Sequence, residues 1–169
     1  EGDSDSAGDT IVQEGTLNIN GDASKSTVYV ASSGNLGGSG TVAGISNTGT
    51  LSPGSSIGTL TVNGDLSTSG TLEIEIDPDG NADKIVVNGG DVTIVEGAVL
   101  QIVPEDNEVF AADDFAVNTT YTIVEVEGAG SRSGEFTSVE DDFAFLSAHL
   151  SYGTSDIQLT MSKLSGFAY

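Results

Sequence analysis

Residues 49–65 read GTLSPGSSIGTLTVNGD, and this stretch decides the fold class. It holds two copies of a Gly-Thr-Leu motif, beginning at Gly49 and Gly58. A turn-forming pair follows each copy, first Pro53-Gly54 and then Asn63-Gly64. Such pairs favour tight turns because Pro fixes φ, whereas Gly and Asn tolerate a positive φ. The stretch therefore predicts short β-strands separated by corners.

The same motif recurs outside this stretch, at Gly15-Thr16-Leu17, Gly40-Thr41-Val42 and Gly70-Thr71-Leu72. From position 40 to position 70, successive copies begin 9, 9 and 12 residues apart. Apolar and acidic residues then alternate through Leu72–Asp77, which is the period of a half-buried strand. An antiparallel sandwich and a solenoid of stacked coils both fit short strands at this spacing. The repeated motif favours the solenoid, because stacked coils superpose equivalent residues.

The chain divides into three predicted parts. Residues 1–10 are rich in acids, Gly and Ser and are expected to form a flexible acidic end. Residues 11–90 carry the motif copies and are expected to form the coils. Residues 91–169 contain all six Phe residues and are expected to form the last coils and a cap, with a strand over 143–150 and an acidic loop over 104–114. A cap is needed because the last coil would otherwise expose unpaired backbone groups and apolar core. The predicted cap residues are Tyr121, Phe136, Phe143, Phe145, Leu146 and Tyr152.

The amino-acid composition argues against several kinds of partner and site. The 26 acidic residues outnumber the four basic ones and give a net charge of −22, which disfavours nucleic acid and anionic membrane surfaces as partners. The absence of Cys excludes disulfide bonds, thiol catalysis and Cys-type zinc sites. No stretch reaches the roughly 18 consecutive apolar residues of a membrane span, so a soluble module is expected.

Motifs of catalysis are weak, and the sequence is not expected to encode an enzyme. Gly54-Ser55-Ser56-Ile57-Gly58 matches the G-x-S-x-G pattern, but a predicted strand follows it where a nucleophile elbow needs a helix. The single His149 has no second His with which to build a metal site. The four basic residues are too few and too scattered to bind an acidic polysaccharide.

One turn has the composition of a calcium loop. Asp77, Asp79, Asn81 and Asp83 place oxygen-bearing side chains at alternate positions. Gly80, however, falls at the fourth place of the loop where an EF-hand has Gly at the sixth, and Asn88 stands where a bidentate Glu is needed. Because Asp, Asn and Gly are also selected by tight turns, a weak calcium site and a plain turn both remain open. No other cofactor is expected.

An ordered set of segments follows the opening stretch and carries a family likeness: Leu72–Asp77, Asp83–Gly89, Tyr121–Val124, Gly134–Phe136, Phe143–Leu146 and Leu150–Tyr152. Together with residues 49–65, this set resembles the C-terminal part of bacterial autotransporter passenger domains, with its β-strand repeat and autochaperone region. The resemblance implies an all-β, right-handed, single-stranded parallel β-helix with a hairpin-like aromatic cap at its C-terminal end. It also implies an autochaperone, a segment that folds first and templates the rest of the passenger.

The resemblance further implies partners and a location. The partners would be upstream passenger coils and a membrane β-barrel outside this chain, and the location would be outside a Gram-negative bacterium, secreted or at its surface by type V secretion. The alternative is a self-assembling filament or surface-layer subunit, or an adhesin stalk, in which copies of the chain associate. A purely structural cap explains the aromatic residues as well as an autochaperone does.

Overall fold

A computed structural model describes residues 8–164 as an all-β fold with almost no helix. Two 3-10 helices cover Glu105–Asn107 and Ala112–Asp114. Fifteen strands form one mixed sheet. They are β1 (Thr10–Asn18), β2 (Asp22–Gly38), β3 (Thr41–Asn47), β4 (Thr50–Pro53), β5 (Thr59–Val62), β6 (Leu66–Thr68), β7 (Thr71–Ile76), β8 (Lys84–Asn88), β9 (Val92–Ile94), β10 (Val99–Pro104), β11 (Asn118–Glu127), β12 (Arg132–Ser133), β13 (Ser138–Asp141), β14 (Leu146–Tyr152) and β15 (Asp156–Lys163).

The parallel strand pairs form three rows. The first row joins residues 22–23 of β2, 41–42 of β3, β5, β8 and residues 124–127 of β11. The second row joins residues 10–12 of β1, 27–30 of β2, 44–47 of β3, β6, β9 and β12. The third row joins residues 14–18 of β1, 33–38 of β2, β4, β7, β10 and β13. From β2 to β13, each pass of the chain contributes one segment to each row.

The core consists of apolar side chains that repeat in register along the rows. In the third row Leu36 lies opposite Leu51, Leu51 opposite Leu72, and Leu72 opposite Leu100. All four are buried in one apolar cluster that extends from Val12 to Met161. Strand side chains alternate between the two faces of a sheet, so one Leu in each pass is enough to build this inner ladder. Truncating one such Leu to Ala costs about 2–5 kcal/mol in comparable cores.

The Gly-Thr-Leu copies do not all superpose. The copies beginning at Gly15, Gly49 and Gly70 lie in the third row, where Thr50 is opposite Thr71. The copies beginning at Gly40 and Gly58 lie in the first row but out of register, since Thr41 is opposite Thr61 and not opposite Thr59. The motif thus occurs in two different rows.

Asn47 is a buried polar residue at the corner between the second and third rows. Its side-chain oxygen accepts a hydrogen bond from the Gly49 amide at 3.0 Å, and its Nδ2 donates to the Thr68 hydroxyl at 3.0 Å. Nδ2 also lies 3.3 Å from the Gly49 carbonyl oxygen. These bonds satisfy the amide inside the core, where an unpaired polar group would be costly.

The C-terminal end of the sheet departs from the parallel pattern. β15 pairs antiparallel with β11 on one side and with β14 on the other. The sheet is therefore mixed, and an all-parallel arrangement does not describe the whole chain. The strand expected over 143–150 begins only at Leu146, because Phe143 and Phe145 lie in the turn before β14.

Two further expectations concern the N-terminal residues and membrane-spanning segments. The predicted flexible segment, residues 1–10, lies largely outside the described residues, and Thr10 already opens β1. Within residues 8–164, no helix has the length and apolar character needed to cross a membrane.

Candidate functional site

The candidate site is the C-terminal cap, which consists of residues 105–117, residues 142–145 and the hairpin of β14 and β15. β15 pairs with β11 so that Tyr121 lies opposite Leu159 and Thr119 opposite Met161. The register shifts between Thr122 and Val124. Ile123 and Val124 are consecutive and both buried, as expected where a bulge adds a residue to one strand. The shift lies where β11 begins to pair with β8 of the stack.

Arg132 ties the turn of the hairpin to β12. Its backbone N–H donates to the Thr154 carbonyl at 2.8 Å, and its Nε donates to the Gly153 carbonyl at 2.7 Å. A further guanidinium N–H donates to the Gly134 carbonyl. The guanidinium carbon also lies 5.0 Å from the centre of the Tyr152 ring, within the range of a cation–π contact. One side chain therefore joins β12, the hairpin turn and the end of β14.

Tyr152 connects the end of β14 to the segment before β13 by a hydrogen bond. Its hydroxyl oxygen accepts a hydrogen bond from the Phe136 amide at 3.1 Å, and the Phe136 side chain is buried. Tyr152 and Phe136, both predicted cap residues, are thus brought together by the structure.

Tyr152→Phe is expected to lower the free energy of unfolding by about 1 kcal/mol, because the Phe136 amide loses its acceptor while the ring stays in place. Tyr29→Phe is a matched control, since Tyr29 lies on β2 with 43% of its surface exposed and should change stability by less than about 0.5 kcal/mol. Urea unfolding followed by circular dichroism measures both values. Equal stability of the two variants would contradict the assigned role of the Tyr152 hydroxyl.

Four Phe rings form a cluster on the other side of the cap. Phe115 contacts the other three rings in edge-on or tilted geometry. The centroid of its ring lies 5.9 Å from that of Phe110, 5.6 Å from that of Phe143 and 6.2 Å from that of Phe145. Phe143 and Phe145 were predicted cap residues, whereas Phe110 and Phe115 come from the segment predicted as an acidic loop and just after it. The signal that could have placed this segment in the cap is the presence of Phe110 and Phe115 beside several acidic residues.

The two other predicted cap residues are buried outside this Phe cluster. Leu146 opens β14 opposite Lys163. Tyr121 lies in β11, and its hydroxyl donates a 2.6 Å hydrogen bond to the Asp77 carbonyl. Burial and the nearby Asp77 and Asp79 carboxylates raise the pKa of Tyr121 above its usual range, so it stays protonated and able to donate. Tyr121 thereby connects the cap to the turn after β7.

That turn contains the four residues considered for calcium, and the structure separates them. The Asp77 carboxylate accepts hydrogen bonds from the amides of Asp79 and Asn81, both at 2.9 Å, and from the Asn81 side chain at 2.7 Å. Asp83 instead points into the core, where it is 1% exposed. Among residues 8–164, no three His, Asp or Glu side chains are grouped so that they could hold a metal ion. Calcium binding at this turn stays a prediction.

The opposite end of the sheet has an open strand edge. Among the described residues, β1 pairs only with β2, so its second edge has no strand partner. Ile11 on β1 is 64% exposed and, together with Leu17, lines a shallow groove along this strand. An edge with free N–H and C=O groups is able to accept another strand.

Comparison with known proteins gives one distant similarity. No protein-family model matches the chain. An extracellular serine protease from Serratia marcescens is 28% identical over 166 residues. The match covers 92% of this chain and 15% of that protein, so the chain spans only a small part of its relative's length.

Proposed function

We propose that this chain is a structural module of an extracellular passenger protein, in which the C-terminal cap starts folding and the β1 edge receives upstream coils. The difference between the two ends of the sheet carries the proposal. At one end an antiparallel hairpin and a Phe cluster follow the parallel strands, whereas at the other end a parallel strand, β1, is itself the edge among the described residues. The three rows are interpreted as the sides of a right-handed parallel β-helix.

The proposed mechanism uses ordinary sheet formation. The first coil to fold is costly because it must order a long segment before any strand pairs with it. Each later coil finds a formed edge and adds hydrogen bonds and apolar contacts at once. Among the strands of residues 8–164, β14 and β15 have the most local pairing, since a short turn separates them. Local contacts form fastest, so the cap is the favoured starting point.

The comparison supports an extracellular setting, since the similar Serratia protein is named an extracellular serine protease. Because the matched segment is a small part of that protein, its proteolytic activity is not carried over to this chain. A non-catalytic role, secretion to the surface of a Gram-negative bacterium and partnership with upstream coils and a membrane β-barrel are all parts of the proposal.

Phi-value analysis on two identical substitutions tests the starting point. Leu159 in β15 and Leu36 in β2 are both fully buried, so each Leu→Ala change removes comparable apolar surface. We expect Leu159→Ala to slow refolding with a phi value of about 0.5 or more, and Leu36→Ala to act mainly by speeding unfolding. Stopped-flow refolding and unfolding in urea give both rates. Should either protein fail to fold, the Leu→Val pair replaces it. The reverse order of phi values would overturn the proposed role of the cap.

A self-assembling subunit is the second candidate. The observation that favours it is β14, which pairs only with β15 among the described residues and carries no Asp or Glu. An uncharged edge strand is a template for pairing between copies, although the net charge of −22 opposes association. Light scattering after size exclusion distinguishes the two, because a monomer at micromolar concentration would contradict the assembling subunit.

A further inference from the structure

The sequence contains three Asn-Gly pairs, and each lies at a corner of the stack. They are Asn20-Gly21 between β1 and β2, Asn63-Gly64 after β5, and Asn88-Gly89 at the end of β8. In such a pair the amide nitrogen of Gly is able to attack the side-chain Cγ of Asn, because Gly has no Cβ to hinder the approach. Asn is accordingly one of the thermolabile residues of proteins. The three pairs share this chemistry, but the fold gives them different surroundings.

The pair at Asn88 is held by strand pairing. Asn88 is the last residue of β8 and lies opposite Glu127 of β11. The Gly89 amide donates a 2.8 Å hydrogen bond to the Glu127 carbonyl oxygen. The nitrogen that would attack Asn88 is therefore already bound, and a local opening of the sheet must release it before it can react.

The pair at Asn63 lies beyond the end of β5. Asn63 is exposed, and its backbone amide donates to the Val42 carbonyl at 2.8 Å. The Gly64 amide, in contrast, has no acceptor among residues 8–164. The Asn63 Oδ1 accepts a hydrogen bond from the Asn88 Nδ2 at 3.1 Å. A hydrogen bond to this oxygen stabilises the negative charge that develops on it when Cγ is attacked.

The pair at Asn20 has the same two features. Asn20 is exposed, and its Oδ1 accepts a hydrogen bond from the Ser39 amide at 3.1 Å. The Gly21 amide has no acceptor within the described part of the chain. The Gly21 carbonyl oxygen accepts a hydrogen bond from the Thr41 amide at 3.1 Å. The fold thus holds the carbonyl side of Gly21 and leaves the attacking nitrogen unbonded.

We propose that Asn20 and Asn63 are sites of spontaneous deamidation, and that the fold protects Asn88. The Gly nitrogen bonds to the Asn Cγ, the bond from Cγ to the side-chain nitrogen breaks, and the proton of the Gly amide leaves with that nitrogen as ammonia. One water molecule then opens the cyclic imide and gives either Asp or isoaspartate. Each reacted site adds a negative charge to the net charge of −22. This inference does not depend on the proposed function.

Peptide mass spectrometry after prolonged incubation tests the assignment. The full chain is kept in mildly alkaline buffer, which favours loss of the Gly proton, and is then digested with pepsin in acid, which stops the reaction. Exchange of the side-chain NH2 for OH raises the mass of the peptide, and electron-transfer fragmentation distinguishes isoaspartate from Asp. We expect Asn20 and Asn63 each to react at least about tenfold faster than Asn88.

The same chain unfolded in guanidinium chloride is the control, because strand pairing no longer distinguishes the three pairs and they should react at similar rates. Asn63→Gln is the matched variant, since it keeps a side-chain amide but would have to form a larger ring, which closes slowly. We expect this variant to lose the modification at position 63 and to keep that at Asn20. Similar rates at the three pairs in the folded protein, or no reaction at Asn20 or Asn63 while the unfolded chain reacts, would overturn the proposal.

Discussion

Gly49→Ala is expected to lower the free energy of unfolding by about 3 kcal/mol or more. Gly49 lies at the corner between the second and third rows, close to the backbone of the neighbouring corner at residues 31–34. A Cβ atom at this position would overlap the carbonyl oxygens of Ala31 and Gly34 and lie 3.0 Å from a methyl group of Val30. Backbone oxygens cannot rotate away as a side chain can, so the two corners would have to separate.

Gly80→Ala is the matched control for this substitution. Gly80 also lies in a turn, with φ of 95°, but a Cβ atom there would meet nothing within 4 Å. Its expected cost is about 1–2 kcal/mol, from backbone strain alone. Because the chain has no Trp, urea unfolding is best followed by circular dichroism, with the fluorescence of its four Tyr residues as a second probe. A smaller loss of stability for Gly49→Ala than for Gly80→Ala would contradict the close approach of Gly49 to the corner at residues 31–34.

The repeated motif allowed the all-β fold to be predicted, but not the assignment of each copy to a row. In Leu72–Ile76, buried side chains alternate with partly buried ones, and the sequence of these few residues is enough to show it. This local pattern is why the strand could be predicted. The row to which a strand belongs depends on the length of each coil. Neighbouring strands of the third row are about two motif spacings apart, as for Leu51 and Leu72, which are paired and 21 residues apart. Similar triplets at Gly49 and Gly58, only 9 residues apart, therefore lie in different rows.

The cap was predicted only in part for a related reason. Strand periodicity identified β11 and β15, because their apolar residues alternate and contact the core. Phe110 and Phe115 lie in a segment with no periodicity, so no local pattern shows that the segment folds back over Phe143. The pairing of distant loops depends on the tertiary fold and leaves no signal in spacing.

The turn at 77–83 shows a third limit of prediction from sequence. Oxygen-bearing side chains at alternate positions suggested that Asp77 and Asp83 face the same point. The structure leaves Asp77 half-buried in the turn and places Asp83 in the core, where its carboxyl group accepts hydrogen bonds from the Gly58 and Glu75 amides. β8 begins immediately after Asp83, so that its side chain points inward. Composition alone could not distinguish a ligand for a cation from an acceptor for two backbone amides.

Phe115→Ala is expected to cost about 3–5 kcal/mol, the range for a large aromatic removed from a core. Phe115 is 2% exposed, and its ring contacts Phe110, Phe143 and Phe145. Removing it leaves a cavity bounded by three rings, one from residues 105–117 and two from residues 142–145, and a cavity that the surrounding structure fills only in part is costly. Val109→Ala is the control in the same segment, since Val109 is 97% exposed and its loss should change stability by less than about 0.5 kcal/mol.

Hydrogen exchange shows where the effect of Phe115→Ala is located. The amide of Leu164, which donates to the Phe145 carbonyl, and that of Lys163, which donates to Val117, are expected to lose protection first. The amide of Thr48, which donates to Val30 far from the cap, should keep its protection until the whole chain unfolds. Uniform loss at all three amides would mean that cap and coils unfold as one cooperative unit. Unchanged protection at Leu164 would show that the Phe cluster does not hold the cap in place.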